Sequence, residues 1–355
     1  MTRDDGQADA AYAGRAAATR TFTEHFERLR ERYLPEVLVL LEDVVREAAL
    51  TGSGLAEMCR YQFDTGGKRL RALLPLLVAD CLEEDPAKTL AMGAACEMVH
   101  NATLVHDDVQ DGDEARRGRE TVWRRFGVPR AIDLGDAMFY LAVLLAQRAP
   151  VSAGSREALA RRLLLETLKV IDGQEQEFAL HADPRPTMDR YFAMVEAKTA
   201  RLFVLAMAGA AELLGQGGRV IEGLTEAARQ LGILFQVQDD VLDLYGDKGR
   251  SERGSDIAEG KRSVLAVHAL ENAAPDDARW LREALDKDRK ATSSADVDRA
   301  AELFDRLGSL AFAVREMRAR QQAAVDAVAA LGRPRLSTMV EGMSETVLEP
   351  IRGLV

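Results

Sequence analysis

Two Asp-Asp-x-x-Asp clusters, Asp107-Asp108-x-x-Asp111 and Asp239-Asp240-x-x-Asp243, lie 132 residues apart in this chain. Each closes an apolar, helix-patterned run, Ala102 to Val105 in the first case and Ile233 to Val237 in the second. Residues four apart share a helix face, so Asp107 stacks with Asp111 and Asp239 with Asp243. Like charges stacked in this way repel, and carboxylates at a helix C-terminus also oppose the macrodipole. A chain that accepts this cost twice needs a positive partner at both places. Hard divalent cations are such a partner, and Mg2+ is usually held by one or two carboxylates together with substrate phosphates. The constraint on the fold is specific. Two helices must bring their acidic ends to face one another across a space that admits a diphosphate.

The remaining sequence is patterned for helices. Ten prolines in 355 residues and 5% aromatics, with abundant Ala, Leu, Glu and Arg, favour helix. Helical periodicity marks residues 21–50, 55–61, 68–82, 88–111, 121–126, 129–149, 155–181, 188–214 and 218–245. It resumes over 263–273, 276–287, 295–307, 309–331 and 336–351, and Gly, Pro or Ser punctuates most junctions. No segment alternates with period two among β-branched residues, so no strands are expected. Residues 1–20 are rich in Ala, Gly and charge without periodicity, and are expected to form a disordered tail. With no internal repeat and no linker between two cores, residues 21–355 read as one all-α domain.

Charge and cysteine usage narrow the function class. A net charge of -11 argues against general nucleic-acid binding. An acidic chain that handles an anion must concentrate its positive charge locally or recruit metal. Cys59, Cys81 and Cys96 lie far apart inside helical patterns and make no disulfide framework, which predicts a reducing, cytoplasmic setting. No apolar run reaches the roughly 18 residues of a membrane span, and the N-terminus lacks a signal-peptide core.

Local concentrations of positive charge do occur. Gly66-Gly67-Lys68-Arg69-Leu70-Arg71 places three cations after a glycine pair at a helix start, where backbone N–H groups favour an anion. Arg116-Arg117-Gly118 follows Asp111 closely, and arginines grip phosphate oxygens bidentately. Glu196-Ala197-Lys198-Thr199-Ala200 sets a Lys-Thr pair inside an apolar helix, although Lys is seldom buried without a partner. Each has an ordinary reading too: a basic helix start, arginines that neutralise nearby acids, a surface lysine. His100 taken alone is equally well a core or loop histidine.

In combination these motifs resemble the trans-isoprenyl diphosphate synthase (polyprenyl synthetase) family. The matching order is Gly66-Gly67-Lys68-Arg69-x-Arg71, His100, Asp107-Asp108-x-x-Asp111, Arg116-Arg117-Gly118, Gly135-Asp136, Gly173-Gln174, Lys198-Thr199, Phe235-Gln236-x-x-Asp239-Asp240-x-x-Asp243 and Gly260-Lys261. The resemblance implies an antiparallel helical bundle of the isoprenoid synthase type around a central cavity, usually homodimeric. It implies head-to-tail condensation of isopentenyl diphosphate with an allylic diphosphate (dimethylallyl, geranyl or farnesyl) and release of pyrophosphate. By the same resemblance Asp107, Asp111 and Asp239 would coordinate Mg2+, with about three ions entering alongside the diphosphate. Asp108, Asp240 and Asp243 would support them. Arg116, Lys198, Thr199, Gln236 and Lys261 would contact the allylic substrate, and Lys68, Arg71, His100 and Arg117 the diphosphate of isopentenyl diphosphate.

The chain departs from the family pattern after the second cluster. The loop Gly246-Asp247-Lys248-Gly249-Arg250-Ser251-Glu252-Arg253-Gly254 lacks the usual Gly-Lys pair, leaving Lys248, Arg250 and Arg253 as candidates for the missing cation. The usual Thr-hydrophobic-Pro after Gly260-Lys261 is replaced by Ser263-Val264-Leu265. Product length in the family depends on side chains below the first cluster. Ala102 and Thr103, then Met98 and Val99 one turn deeper, carry no aromatic plug, so a product of twenty carbons, geranylgeranyl diphosphate, or longer is expected. Met138 and Phe139 are further candidates for a floor. The nearest rival is a class I terpene cyclase, which typically carries an Asn/Ser/Glu second motif. A non-catalytic subunit of a heteromeric synthase would have eroded acidic clusters, and an acidic cation-binding scaffold would not need the ordered cations.

Overall fold

The computed structural model describes residues 3–48, 54–246 and 253–354, with residues 3–15 by backbone only. Among them the chain forms sixteen α-helices in this order. They are α1 (Arg3–Glu47), α2 (Leu55–Phe63), α3 (Leu70–Cys81), α4 (Leu90–Gln110), α5 (Val122–Phe126), α6 (Val128–Ala146), α7 (Ala153–His181) and α8 (Met188–Val195). After a π-helical turn at Glu196–Ala200 come α9 (Arg201–Leu213), α10 (Gly218–Tyr245), α11 (Ser255–Ala258), α12 (Val264–Asn272), α13 (Pro275–Leu285), α14 (Ser294–Arg306), α15 (Ser309–Ala329) and α16 (Pro334–Leu348).

The apolar stripes account for the packing. α4 carries buried residues on most of its circumference and lies between α3 and α6. α10 is sandwiched by α9 and α15, while α1 lies along α16. Met92, Met98, Leu134, Met138, Tyr191 and Phe203 are among the largest fully buried side chains. They belong to α4, which carries the first acidic cluster, to α6 and α9, which pack against it, and to α8.

Three features differ from the sequence-based expectation. Helix α1 begins at Arg3, where residues 1–20 were expected to be disordered. Its Ala-rich start has high helix propensity without an apolar stripe, and Ala18 is buried with its carbonyl against Gly342 of α16. Strands were not expected, yet Ala115–Arg116 (β1) and Arg119–Glu120 (β2) pair antiparallel. Arg117 (φ 52) and Gly118 (φ 76) form the two-residue turn, and positive φ at both centres is the geometry that suits the twist of a tight hairpin. Two-residue strands are too short to leave a periodic signal. The third feature is the π-turn within the continuous pattern of residues 188–214. Such insertions occur mostly as single turns, often at functional sites, and leave no mark in hydrophobic period.

Candidate active site

Helix α4 supplies one wall of a cavity of about 580 Å³. His100, Thr103, Asp107 and Asp111 line it at three- and four-residue spacing, on one face of the helix. Asp108 turns away and is buried, where it accepts the Nε–H of Arg116 at 2.6 Å. Burial pushes its carboxyl up to about 6, with Arg116 opposing the rise. The carboxyl of Asp107 is raised as well, first by burial, with Lys198 opposing and Asp111 and Glu177 adding repulsion. The β1–β2 hairpin thus aims Arg116 between the first acidic cluster and the cavity.

Helix α10 forms the opposite wall with Phe235, Gln236, Asp239 and Asp240. The Asp240 carboxylate accepts from Tyr191 Oη at 2.7 Å, Gln236 Nε2 at 2.9 Å and the Val264 N–H at 2.8 Å. Asp243 accepts from Ser255 Oγ at 2.5 Å and the Asp256 N–H at 2.9 Å. Both carboxylates are buried and tie the returning loop to α10. Asp239 lines the cavity beside Asp240, and the loop that Asp243 secures brings Asp256 to the same wall.

The π-turn delivers Lys198 and Thr199. Lys198 Nζ lies 2.5 Å from Glu177 Oε2 and 3.9 Å from Asp107 Oδ1. Burial works against its charge, yet Asp107 and Glu177 raise its affinity for the proton. Thr199 Oγ1 donates to Gln236 Oε1 at 2.9 Å. Two glycines make room for this turn. A Cβ on Gly173 of α7 would stand 2.3 Å from Lys198 N, and one on Gly232 of α10 would stand 2.4 Å from Ala200 Cα. Lys261 approaches from the other side, with Nζ 3.2 Å from Asp111 Oδ2 and 2.6 Å from Glu259 Oε2. Although burial disfavours its charge, Asp256, Asp111 and Glu259 hold the ammonium well above the usual lysine range.

A second group of cations adjoins this one. Arg71 is half-buried against the rings of Phe203 and Phe235, with its guanidinium carbon 5.4 Å and 5.9 Å from their centroids. Burial lowers its guanidinium to about 10, which leaves it charged at neutral pH. Its Nη1 lies 3.3 Å from His100 Nε2. Arginine has donors alone, so Nε2 must accept and the ring proton sits on Nδ1. Burial, then Arg71, Arg116, Arg117 and Arg69, keep His100 well below its usual range and therefore neutral. Arg117 lines the cavity and donates to the Gly66 carbonyl at 2.5 Å. Arg69 is bound to Glu97 at 2.6 Å, inside a buried cluster with Asn101 and Gln62, and so anchors the loop. Lys68 is exposed and does not line the cavity. Of the cations considered for the second loop, Arg253 donates to the Leu244 carbonyl and to Asp298, away from the cavity. Lys248 and Arg250 lie outside the described residues.

The residues considered for product length divide. Thr103 lines the cavity, whereas Met98, Val99 and Ala102 are fully buried and do not line it. Residues 98 and 102 lie off the 100–103–107 stripe, whereas Val99 shares the face of Thr103 one turn deeper and is covered there by packing. Phe139 lines the cavity, edge-on to the ring of His106 at 5.7 Å, while Met138 is core. Leu104, Val170 and Ile171 complete this apolar end.

Several cavity residues were not singled out from the sequence. Glu177 lies one turn beyond Gly173-Gln174, and Tyr191 two turns before Lys198, so extending each motif along its helix face finds them. Asp256 has no such signal, because its place depends on how the loop folds back onto Asp243.

As a metal site the arrangement is open. Among the described residues no three His, Cys, Asp or Glu side chains converge closely enough to hold an ion unaided. Asp107 and Asp111 on one wall and Asp239 on the other are hard oxygen donors. They suit a divalent ion that completes its shell with phosphate oxygens.

Comparison with known proteins follows the same lines. A family model described as Polyprenyl synthetase matches residues 53–304. A geranylgeranyl diphosphate synthase of Mycobacterium tuberculosis is 36% identical over 74% of this chain and 75% of its own length. A geranylfarnesyl diphosphate synthase of Natronomonas pharaonis is 33% identical over 82% of this chain and 86% of its own. The crystal structure of a polyprenyl synthetase from Streptomyces coelicolor superposes with a TM-score of 0.81 at 28% identity, covering 92% of this chain and 99% of that one.

Proposed function

The chain belongs to the polyprenyl synthetase family, and from that premise we propose how its residues divide the work of a Mg2+-dependent synthase. The family's reaction is prenyl transfer, in which an allylic diphosphate is joined to isopentenyl diphosphate. The observation that carries our assignment is the meeting of Asp107, Asp111 and Asp239 with Lys198 and Lys261 around one cavity.

Asp107, Asp111 and Asp239 are the residues that would hold Mg2+, which supplies positive charge to the departing diphosphate. Arg116, Lys198 and Lys261 bind and orient the allylic diphosphate. Thr199 and Gln236, already bonded to each other, border its reacting carbon. Arg71, Arg117 and neutral His100 hold the diphosphate of isopentenyl diphosphate, with Lys68 at the rim. Arg71 is pre-charged and held against two rings, so it needs little reorganisation when an anion arrives. The apolar end of the cavity excludes water while an allylic cation forms.

Product length follows from the same walls. With Thr103, not an aromatic ring, facing the cavity below the first cluster on α4 and Phe139 lining the apolar end, a tail of twenty carbons, geranylgeranyl diphosphate, is the product we propose. The relatives' names span two product lengths at similar identity, so the assignment rests on the walls. Incubation with Mg2+, labelled isopentenyl diphosphate and farnesyl diphosphate, followed by dephosphorylation and chromatography, is the test. Labelled geranylgeraniol is expected; unlabelled cyclic hydrocarbon would refute the synthase reading. With geranyl diphosphate as the starter instead, Thr103→Phe should stop the product at fifteen carbons by placing a ring in the tail's path. An unchanged product would move the floor elsewhere.

We further propose a homodimer. Ile132, Tyr140 and Leu144 of α6 and Leu164 and Leu168 of the adjacent α7 are all exposed, Tyr140 by 75%. An apolar patch of this kind on a charged protein marks an association surface. Tyr140→Glu together with Leu168→Glu is expected to halve the mass in sedimentation or light scattering; an unaltered mass would remove this face from the interface. No helix among the described residues is long and apolar enough to cross a membrane. The buried, unpaired cysteines Cys59, Cys81 and Cys96 suit the cytoplasm we propose.

A further inference from the structure

Arg289 lies well outside the motif region, in a short 3-10 turn (Arg289–Ala291) between α13 and α14. The turn is set by Asp288, whose carboxylate accepts the Lys290 N–H at 2.9 Å and whose carbonyl accepts the Ala291 N–H at 2.8 Å. From there the guanidinium spans the two lips of the cavity. Nη1 is 2.8 Å from Asp113 Oδ1, on the loop that leads into the β1–β2 hairpin. Nη2 is 3.0 Å from Glu259 Oε1, on the loop that follows the second acidic cluster.

Each of those carboxylates also holds a cation of the site. Asp113 Oδ2 lies 3.7 Å from Arg116 Nη2. Glu259 Oε2 lies 2.6 Å from Lys261 Nζ, and Lys261 reaches on to Asp111 at 3.2 Å. Charge therefore alternates from the hairpin, through Arg289, to the first acidic cluster. The Glu259 side chain is only 5% exposed and that of Asp113 14%, so both carboxylates are poorly hydrated and depend on nearby cations. Without Arg289, Glu259 would turn its whole charge on Lys261, and Asp113 would do the same to Arg116. Both cations would then be held more tightly by protein and be less available to phosphate.

We infer that Arg289 is a positioning residue for diphosphate capture: by neutralising Asp113 and Glu259 it leaves Arg116 and Lys261 able to turn to phosphate oxygens. The inference rests on the functional reading above. It adds a residue that touches no substrate yet sets the strength of two that do.

Arg289→Gln is the test, read by calorimetric titration with magnesium pyrophosphate and by steady-state kinetics with farnesyl diphosphate. The affinity for magnesium pyrophosphate should fall, and KM for farnesyl diphosphate rise, by roughly five- to tenfold, the scale of one or two partly screened ion pairs. The kcat should change by less than about threefold, because the reacting centre is untouched. Arg289→Lys should restore part of the loss. Adding Glu259→Gln to Arg289→Gln should recover most of it by releasing Lys261, a rescue that a merely structural role would not produce. Unchanged affinity in folded Arg289→Gln, or no rescue in the folded double variant, overturns the inference. A wild-type protein that makes no prenyl product refutes the functional reading instead, and the pyrophosphate titration still decides the role of Arg289.

Discussion

Asp107→Ala is expected to lower turnover by at least about 10³-fold while the helical circular dichroism signal stays unchanged, since it removes a donor whose bound charge would act chiefly on the leaving group. Stability should not fall with activity. The Asp107 carboxyl is raised by burial and by repulsion from Asp111 and Glu177, so its removal relieves an unfavourable cluster. Lys198 keeps its partner, because Glu177 stands 2.5 Å from Nζ. The melting temperature of the metal-free protein is therefore expected to be equal to or above that of the wild type. Turnover within tenfold of the wild type would show that Asp107 is not a metal-holding residue. A matched Asp108→Asn variant separates the two roles. Asp108 faces Arg116 rather than the cavity, so its loss should act on allylic substrate binding through a misplaced arginine.

Gly173→Ala is the second large effect, and it acts entirely through backbone. The added methyl would meet Lys198 N at 2.3 Å, and Ala197 C and Lys198 Cα at 2.6 Å each. None of these is the far end of a flexible side chain, so the π-turn itself must move away from α7. Gly232 and Ala200 lie in close contact on the far side, which leaves the turn little room to retreat. Overpacking of this kind costs about 1–3 kcal/mol in stability. The larger consequence is for Lys198 and Thr199, because misplacing reactive-site groups by about 1 Å can cost on the order of 10²-fold in rate. We expect kcat with the allylic substrate to fall by about that factor, with a lowered melting temperature. A crystal structure should show the turn displaced or converted to regular α-helix. Wild-type kinetics in Gly173→Ala would mean that the π-turn is not needed to aim Lys198.

Much of the architecture was legible because helices announce themselves through period and punctuation. The boundaries of α7, α10 and α15 fall within a few residues of the periodic runs, and the all-α reading needed only the two-residue strands of the hairpin added to it. The face of α4 could also be read, since spacing alone sets Asp107 above Asp111. Spacing did not reveal which of the six aspartates turn to the cavity. Asp108 and Asp243 became buried fasteners off the cavity because Arg116 and Ser255 come to them from elsewhere in the chain, while Asp240 both lines the cavity and is tied down by Tyr191 and the Val264 N–H. Ala102 and Thr103 are neighbours in sequence, and the packing of α4 against α6 buried one and left the other on the cavity.

By itself, then, the amino-acid sequence determined that the chain is helical, that two acidic helix ends must find compensating charge, and which cations are available to supply it. These are properties of residue type, period and short spacing, all local. The tertiary structure alone decided that Glu177, Tyr191 and Asp256 belong to the cavity, that a π-turn between two glycines presents Lys198, and that Arg289 reaches Asp113 across 176 residues of sequence. The physical reason is that a carboxylate or an ammonium is defined in sequence by its charge, whereas its partner and its degree of hydration are set by whichever distant backbone folds against it.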